Sequence, residues 1–118
     1  MTSSQQKMNP RIKKLWVKAL KSRKYKKGIG QLRDKNDNFC ALGVLCNLHA
    51  IEHPEFAAGQ TDKTSYGQMG GSLPGIVKEW AGLGSSDPHI PKVNRHVSEL
   101  NDSGTSFIRI ANLIEKHL

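Results

Sequence analysis

Apolar residues recur at helical spacing in several stretches of the chain, and in one they run almost all round. After Asn9-Pro10, a capping residue followed by the residue most at home in the first helical position, Ile12, Leu15, Trp16, Ala19 and Leu20 fall on one face of an α-helix. From Phe39 to Ile51 the apolar positions leave no polar face, which predicts a central helix buried on most sides, with Asn38 as its N-cap. Leu73, Ile76, Val77 and Trp80 repeat at i, i+3, i+4 and i+7 after Ser72, with Pro74 in the first turn and Gly82 as a stop, and predict a short helix. Ile90, Val93, Val97 and Leu100 also fit helical spacing, although Pro91 and the short length leave an extended alternative. The last helix is the clearest: Ser106 can cap it, and Phe107, Ile110, Ala111, Ile114 and Leu118 form its apolar face.

Between these elements the chain carries turn chemistry. Gly28 and Gly30 break the first helix, and Asp34 to Asn38 is a run of turn formers between Leu32 and Phe39, so 29–40 reads as a small β-hairpin or an irregular loop. Residues 54–72, rich in Gly, Gln, Thr and Ser, read as a long surface loop of the kind that often carries function. The fold class expected is mainly α: one small domain of four to five helices around a buried central helix at about 39–51, with a short β-hairpin near 29–40. Residues 1–8 are expected as a flexible tail and 9–118 as the globular domain.

Composition narrows the class. A chain of 118 residues fits one domain, and 36% hydrophobic against 24% charged residues is too apolar for a disordered chain. No run approaches the roughly 18 apolar residues of a membrane span, so no membrane partner is expected. The opening Met1 to Gln6 has no apolar signal region, which predicts a cytoplasmic location and reduced thiols. On one helix, Cys40 and Cys46 would have Cα atoms about 9 Å apart, beyond disulfide reach.

Charge is distributed unevenly. Residues 1–35 hold twelve Lys or Arg against one Asp, while 36–118 hold six against nine Asp or Glu, so the whole net charge of +8 originates in the first third. Arg11, Lys14, Lys18 and Lys21 fall opposite the apolar face of the first helix, and Arg23, Lys24, Lys26 and Lys27 extend the stripe beyond it. Such a stripe is either a solvated face or a contact for an anion, meaning a nucleic-acid backbone, a membrane surface or an acidic partner protein. Only Tyr25 interleaves with it, so no series of stacking aromatics points to base reading.

Candidate chemistry centres on Cys40. At the second position of a helix capped by Asn38, its thiol would meet free N–H groups and the positive end of the dipole, which lower a thiol pKa. A Cys-dependent hydrolase or transferase would use Cys40 as nucleophile, His89 or His96 as base, and Asn101 or Asp102 to orient the imidazole. The competing reading makes both cysteines small core residues and Asn101-Asp102-Ser103-Gly104 a polar turn. His49 and His53 stand at i, i+4, but no carboxylate or thiol completes a zinc set. The Asp/Asn run at 34–38 lacks the Gly and closing Glu of a calcium loop, and no metal or cofactor is expected.

Two blocks occur together: Phe39-Cys40-Ala41-Leu42-Gly43-Val44-Leu45-Cys46-Asn47-Leu48, and Leu100-Asn101-Asp102-Ser103-Gly104-Thr105-Ser106-Phe107-Ile108-Arg109-Ile110-Ala111. With Trp16 to Tyr25 and Leu73 to Trp80, they make the chain resemble a group of small uncharacterised proteins of bacteriophages and some bacteria. The resemblance implies a phage-type accessory protein acting in a bacterial cytoplasm and brings no assigned activity with it. The placement of charge favours a binding module that uses the basic N-terminal helix and the 54–72 loop to meet a host or viral protein. Nonspecific nucleic-acid binding and the Cys40 enzyme are the alternatives.

Overall fold

The computed structural model describes residues 7–55 and 72–118. The expected loop at 54–72 and the expected tail at 1–8 therefore fall largely outside the described residues. Met8, placed above with the tail, belongs to the core: it is buried, and its N–H donates to the Leu118 carbonyl at 3.3 Å.

Helix α1 spans Pro10–Lys21. The Asn9 side-chain oxygen accepts from the N–H groups of Arg11 and Ile12 at 2.9 and 3.3 Å, and Pro10 starts the helix at a position with no donor to lose. Beyond Lys21 the Ser22 hydroxyl donates to the Ala19 carbonyl, and Arg23 turns the chain away at a φ of 65°. Ile12, Trp16, Val17 and Leu20 are buried, and Leu15 and Ala19 pack at the core's edge.

The next segment does form a short hairpin, and a parallel strand pair flanks it. Strand β1, Lys26–Lys27, runs parallel to β2, Asn38–Phe39, with Lys26 opposite Asn38 and Lys27 opposite Phe39. Arg33 bridges antiparallel to the same Phe39. The turn between them is built by Asp34, whose carboxylate accepts from the N–H groups of Asn36 and Asn38 at 2.8 and 3.0 Å. Those bonds, Asn38's first among them, hold the Asp34 carboxyl below the usual range.

Helix α2 spans Ala41–Glu52, two residues later at its start than the sequence pattern suggests. Asn38 is occupied by the strand pairing, and the N-cap is Cys40, whose Sγ accepts from the Gly43 N–H at 3.4 Å. Every residue from Ala41 to Cys46 is buried, as an apolar pattern without a polar face requires. At Gly43 another segment comes too close for a side chain: a Cβ there would lie 1.6 Å from the Leu32 carbonyl oxygen.

Helix α3, Gly75–Ala81, buries Val77 and Ala81. Ser72 does not cap it; Pro74 precedes its first residue without a side-chain cap, and Gly82 ends it in the left-handed region at φ 72°. The 90–100 pattern divides in two. Strands β3, His89–Ile90, and β4, Arg95–His96, pair antiparallel, and helix α4, Val97–Asp102, follows at once. Asp87 fixes that start by accepting from both the N–H and the hydroxyl of Ser98. Helix α5, Phe107–His117, begins at Ser106, whose hydroxyl accepts from the Arg109 N–H at 3.1 Å, and buries Ile110, Ala111 and Ile114.

α1 lies along α5 and touches α2, while α4 and α3 pack on other sides of α2. The architecture is mainly α, in one domain built around α2. Among the described residues, no helix is long and apolar enough to cross a membrane.

Candidate functional site

The head of α2 is where the sequence locates its chemistry, and the structure gives those residues a different task. Cys40 is only 3% exposed. Burial pushes its thiol pKa up, against the pull of the Gly43 and Leu42 N–H groups, and the charges of Asp102 and Asp87 push it further. Desolvation thus outweighs the helix end, and the expected activation is reversed. Cys46, deeper in α2, is raised further by burial, and both cysteines are free.

Asn101 is fully buried and uses its amide on the backbone. Its side-chain oxygen accepts from the Ala41 N–H at 3.0 Å, and its nitrogen donates to the Gly28 carbonyl at 2.8 Å and to Asp102 Oδ1 at 3.1 Å. Asp102 Oδ1 also accepts from the Gly30 N–H at 3.2 Å. The first donor of α2 is therefore satisfied from α4, while the Ala41 carbonyl takes the indole N–H of Trp16 at 2.9 Å. Cys40, Asn101 and Asp102 do come together, as a clasp between α2, α4 and the 28–30 segment.

The histidines do not join them. His89 and His96 face each other across the β3–β4 hairpin, ring centroids 5.1 Å apart and both residues exposed. His89 Nε2 bonds Asn94 Oδ1 at 2.9 Å, and His96 Nδ1 bonds Glu99 Oε1 at 3.0 Å. None of the hydrogen bonds described for Cys40 or Asn101 involves an imidazole.

The basic stripe divides into committed and uncommitted charges. Arg11 grips Glu52 through both guanidinium nitrogens, at 2.5 and 3.1 Å, and this holds the Glu52 carboxyl below its ordinary value. Lys21 stands 3.8 Å from Glu115. Lys27 is half-buried; desolvation lowers its pKa and nearby Asp102 partly offsets that. Lys14, Lys18, Arg23, Lys24 and Lys26 are exposed and, among the described residues, form no ion pair. Tyr25 is no stacking platform: its ring edge packs on Phe39 with centroids 5.0 Å apart, and its hydroxyl accepts from Asn47 Nδ2 at 2.7 Å.

Two groupings escape the sequence reading. His49, buried in α2, packs its ring 4.8 Å from His53 and 5.0 Å from Trp80, whose indole N–H donates to Glu52 at 3.3 Å. Burial lowers the His49 pKa, and the neighbouring His53 lowers it further. The His49/His53 spacing is visible in the sequence, but the arrival of Trp80 from α3 is not. Arg95 and Arg109, fourteen positions apart, border one groove because α4 and the turn after it fold back between them.

These features define a small helical domain with a clasped central helix, buried from Ala41 to Cys46, and a cationic face, and without an exposed thiol centre among the described residues. The model of a family described as a domain of unknown function, DUF8296, matches residues 8–118, and the chain belongs to that family. Compared with the curated proteins and with the solved structures, the chain matches none.

Proposed function

We propose that the protein is a small phage-type accessory protein of the bacterial cytoplasm. It works as a binding module whose N-terminal cationic face docks on the sugar–phosphate backbone of a nucleic acid. The observation that carries this reading is the array of Lys14, Lys18, Arg23, Lys24 and Lys26, exposed and without carboxylate partners among the described residues. An acidic partner protein would also meet this charge, but protein interfaces centre on apolar and aromatic anchors. Here Tyr25 is turned inward, and Ile29 is the one large exposed apolar residue between Arg11 and Asn38. Backbone contact without base reading suits such a surface.

Fluorescence anisotropy of a labelled duplex of arbitrary sequence, titrated with salt, tests the proposal. Five phosphate contacts give a slope of log affinity against log salt of about −4 to −5, and a Lys14→Gln/Lys18→Gln/Lys24→Gln protein loses about three units of it. Absence of binding at low salt, or a slope that the triple substitution leaves unchanged, refutes the nucleic-acid reading. Capture of a defined acidic protein instead would give the face to a protein partner.

A further inference from the structure

The block Leu100 to Ser106, part of the family resemblance, contributes Asn101 and Asp102 to the clasp, and its remaining residues face elsewhere. They form one wall of a groove of about 570 Å³ between β4 and the turn that leads into α5. Arg95 and Arg109 both line it, together with Val93 and Leu100. Both arginines are exposed, and among the described residues neither is ion-paired. The acid that senses Arg95 is Glu99, and its carboxylate is already taken by His96, through the backbone N–H at 2.8 Å and Nδ1 at 3.0 Å. Thr105 adds a hydroxyl to the same wall.

We infer that this groove is a binding site for a small organic phosphomonoester. Guanidinium groups present planar forks that match phosphate oxygens, and two of them without carboxylates balance the roughly −1.5 to −2 charge of a phosphomonoester at neutral pH. The volume lies in the range of small-molecule sites. Half-buried Val93 offers an apolar surface that a bare inorganic anion leaves uncovered, so the organic part of the ligand adds to binding. The site does not depend on the N-terminal cationic face, which lies on other elements.

The test is a titration of the full chain, followed by the backbone amide resonances, with adenosine 5′-monophosphate, glycerol 3-phosphate, inorganic phosphate and uncharged adenosine as probes. The expected result is saturable one-to-one binding of the two esters that shifts the amides of Gly104 and Thr105. Inorganic phosphate binds more weakly, and adenosine does not bind. Arg95→Gln and Arg109→Gln each weaken the esters by about tenfold or more, the scale of one charge-assisted hydrogen-bonded contact. Arg109→Lys gives an intermediate loss, because it keeps the charge and loses the fork. A Lys14→Gln/Lys18→Gln protein, which loses the same kind of charge elsewhere, binds the esters as the parent does. The inference is overturned if the esters leave Gly104 and Thr105 unshifted, if binding survives both arginine substitutions, or if the lysine substitutions weaken it equally. Inorganic phosphate binding as tightly as the esters would overturn the organic part, and adenosine binding alone would overturn the phosphate part.

Discussion

Replacing Asn101 by leucine separates a structural clasp from a catalytic role. The two side chains have similar volume, so packing changes little, but leucine leaves the Ala41 N–H and the Gly28 carbonyl without the partners that Asn101 gives them at 3.0 and 2.8 Å. A buried backbone group stripped of its hydrogen bond costs about 1–3 kcal/mol. The pair therefore puts Asn101→Leu about 2–6 kcal/mol below the parent, a large share of the roughly 5–15 kcal/mol that holds a domain folded. In urea, at a slope of about 2 kcal/mol per molar, the midpoint falls by about 1–3 M, read through the fluorescence of buried Trp16. Asn101→Asp sharpens the test. The introduced carboxyl can still accept from Ala41, but when ionised it cannot donate to Gly28, and it sits beside the Asp102 carboxylate. Its folded-state pKa is therefore raised above the unfolded value, so its deficit is small in acid and grows as pH rises past the ordinary carboxyl range. A leucine variant within about 0.5 kcal/mol of the parent, the scatter of ordinary surface changes, would refute the clasp, as would an aspartate deficit that ignores pH.

Gly43→Ala sets a methyl group 1.6 Å from the Leu32 carbonyl oxygen and should cost about 3 kcal/mol or more, whereas Gly75→Ala, with nothing within 4 Å of its Cβ, should be neutral or gain up to about 1 kcal/mol; paired denaturation curves check both. Cys40 and Cys46 should resist iodoacetamide at neutral pH in the folded protein and react once denaturant is added, and selective labelling of folded Cys40 would contradict the burial argument. Because burial holds His49 below its ordinary pKa, the unfolded chain takes up that proton first as pH falls through about 6.5, and stability present above that point is lost from there downward. His49→Gln should flatten that part of the stability–pH curve, and an unchanged slope would show that the loss arises elsewhere.

Sequence reasoning reached furthest where one residue decides a local outcome. Asn9-Pro10 and Ser106 start their helices as their side chains dictate, Gly82 stops α3 in the left-handed region, and the all-round apolar run became the central helix. It failed where a partner distant in the chain decides. Asn38 has the chemistry of a cap, but pairing with Lys26 makes it a strand residue and passes the cap to Cys40. Spacing could place Cys40 at a helix head, but the dominance of burial over the helix end follows from segments packed on it from other parts of the chain. In sequence Asn101 reads as a turn former sooner than as an imidazole partner, and only the tertiary approach of Ala41 and Gly28 assigns its amide. Ile90 to Leu100 kept a helical period by coincidence across a hairpin and a short helix.

The pairing of α1 with α5 has a consequence for how the chain reaches its fold. More than eighty residues separate the two helices in sequence, yet they share the broadest of the helix contacts. Most helical proteins draw on local contacts and fold quickly for that reason; closing so long a loop makes this one slower than its helix content suggests. During synthesis, α1 can meet α2 early, through the Trp16 indole and the Ala41 carbonyl, but its larger contact waits until Phe107 to His117 has left the ribosome. Nascent chains halted short of α5 should thus be the species that chaperones hold and proteases cut.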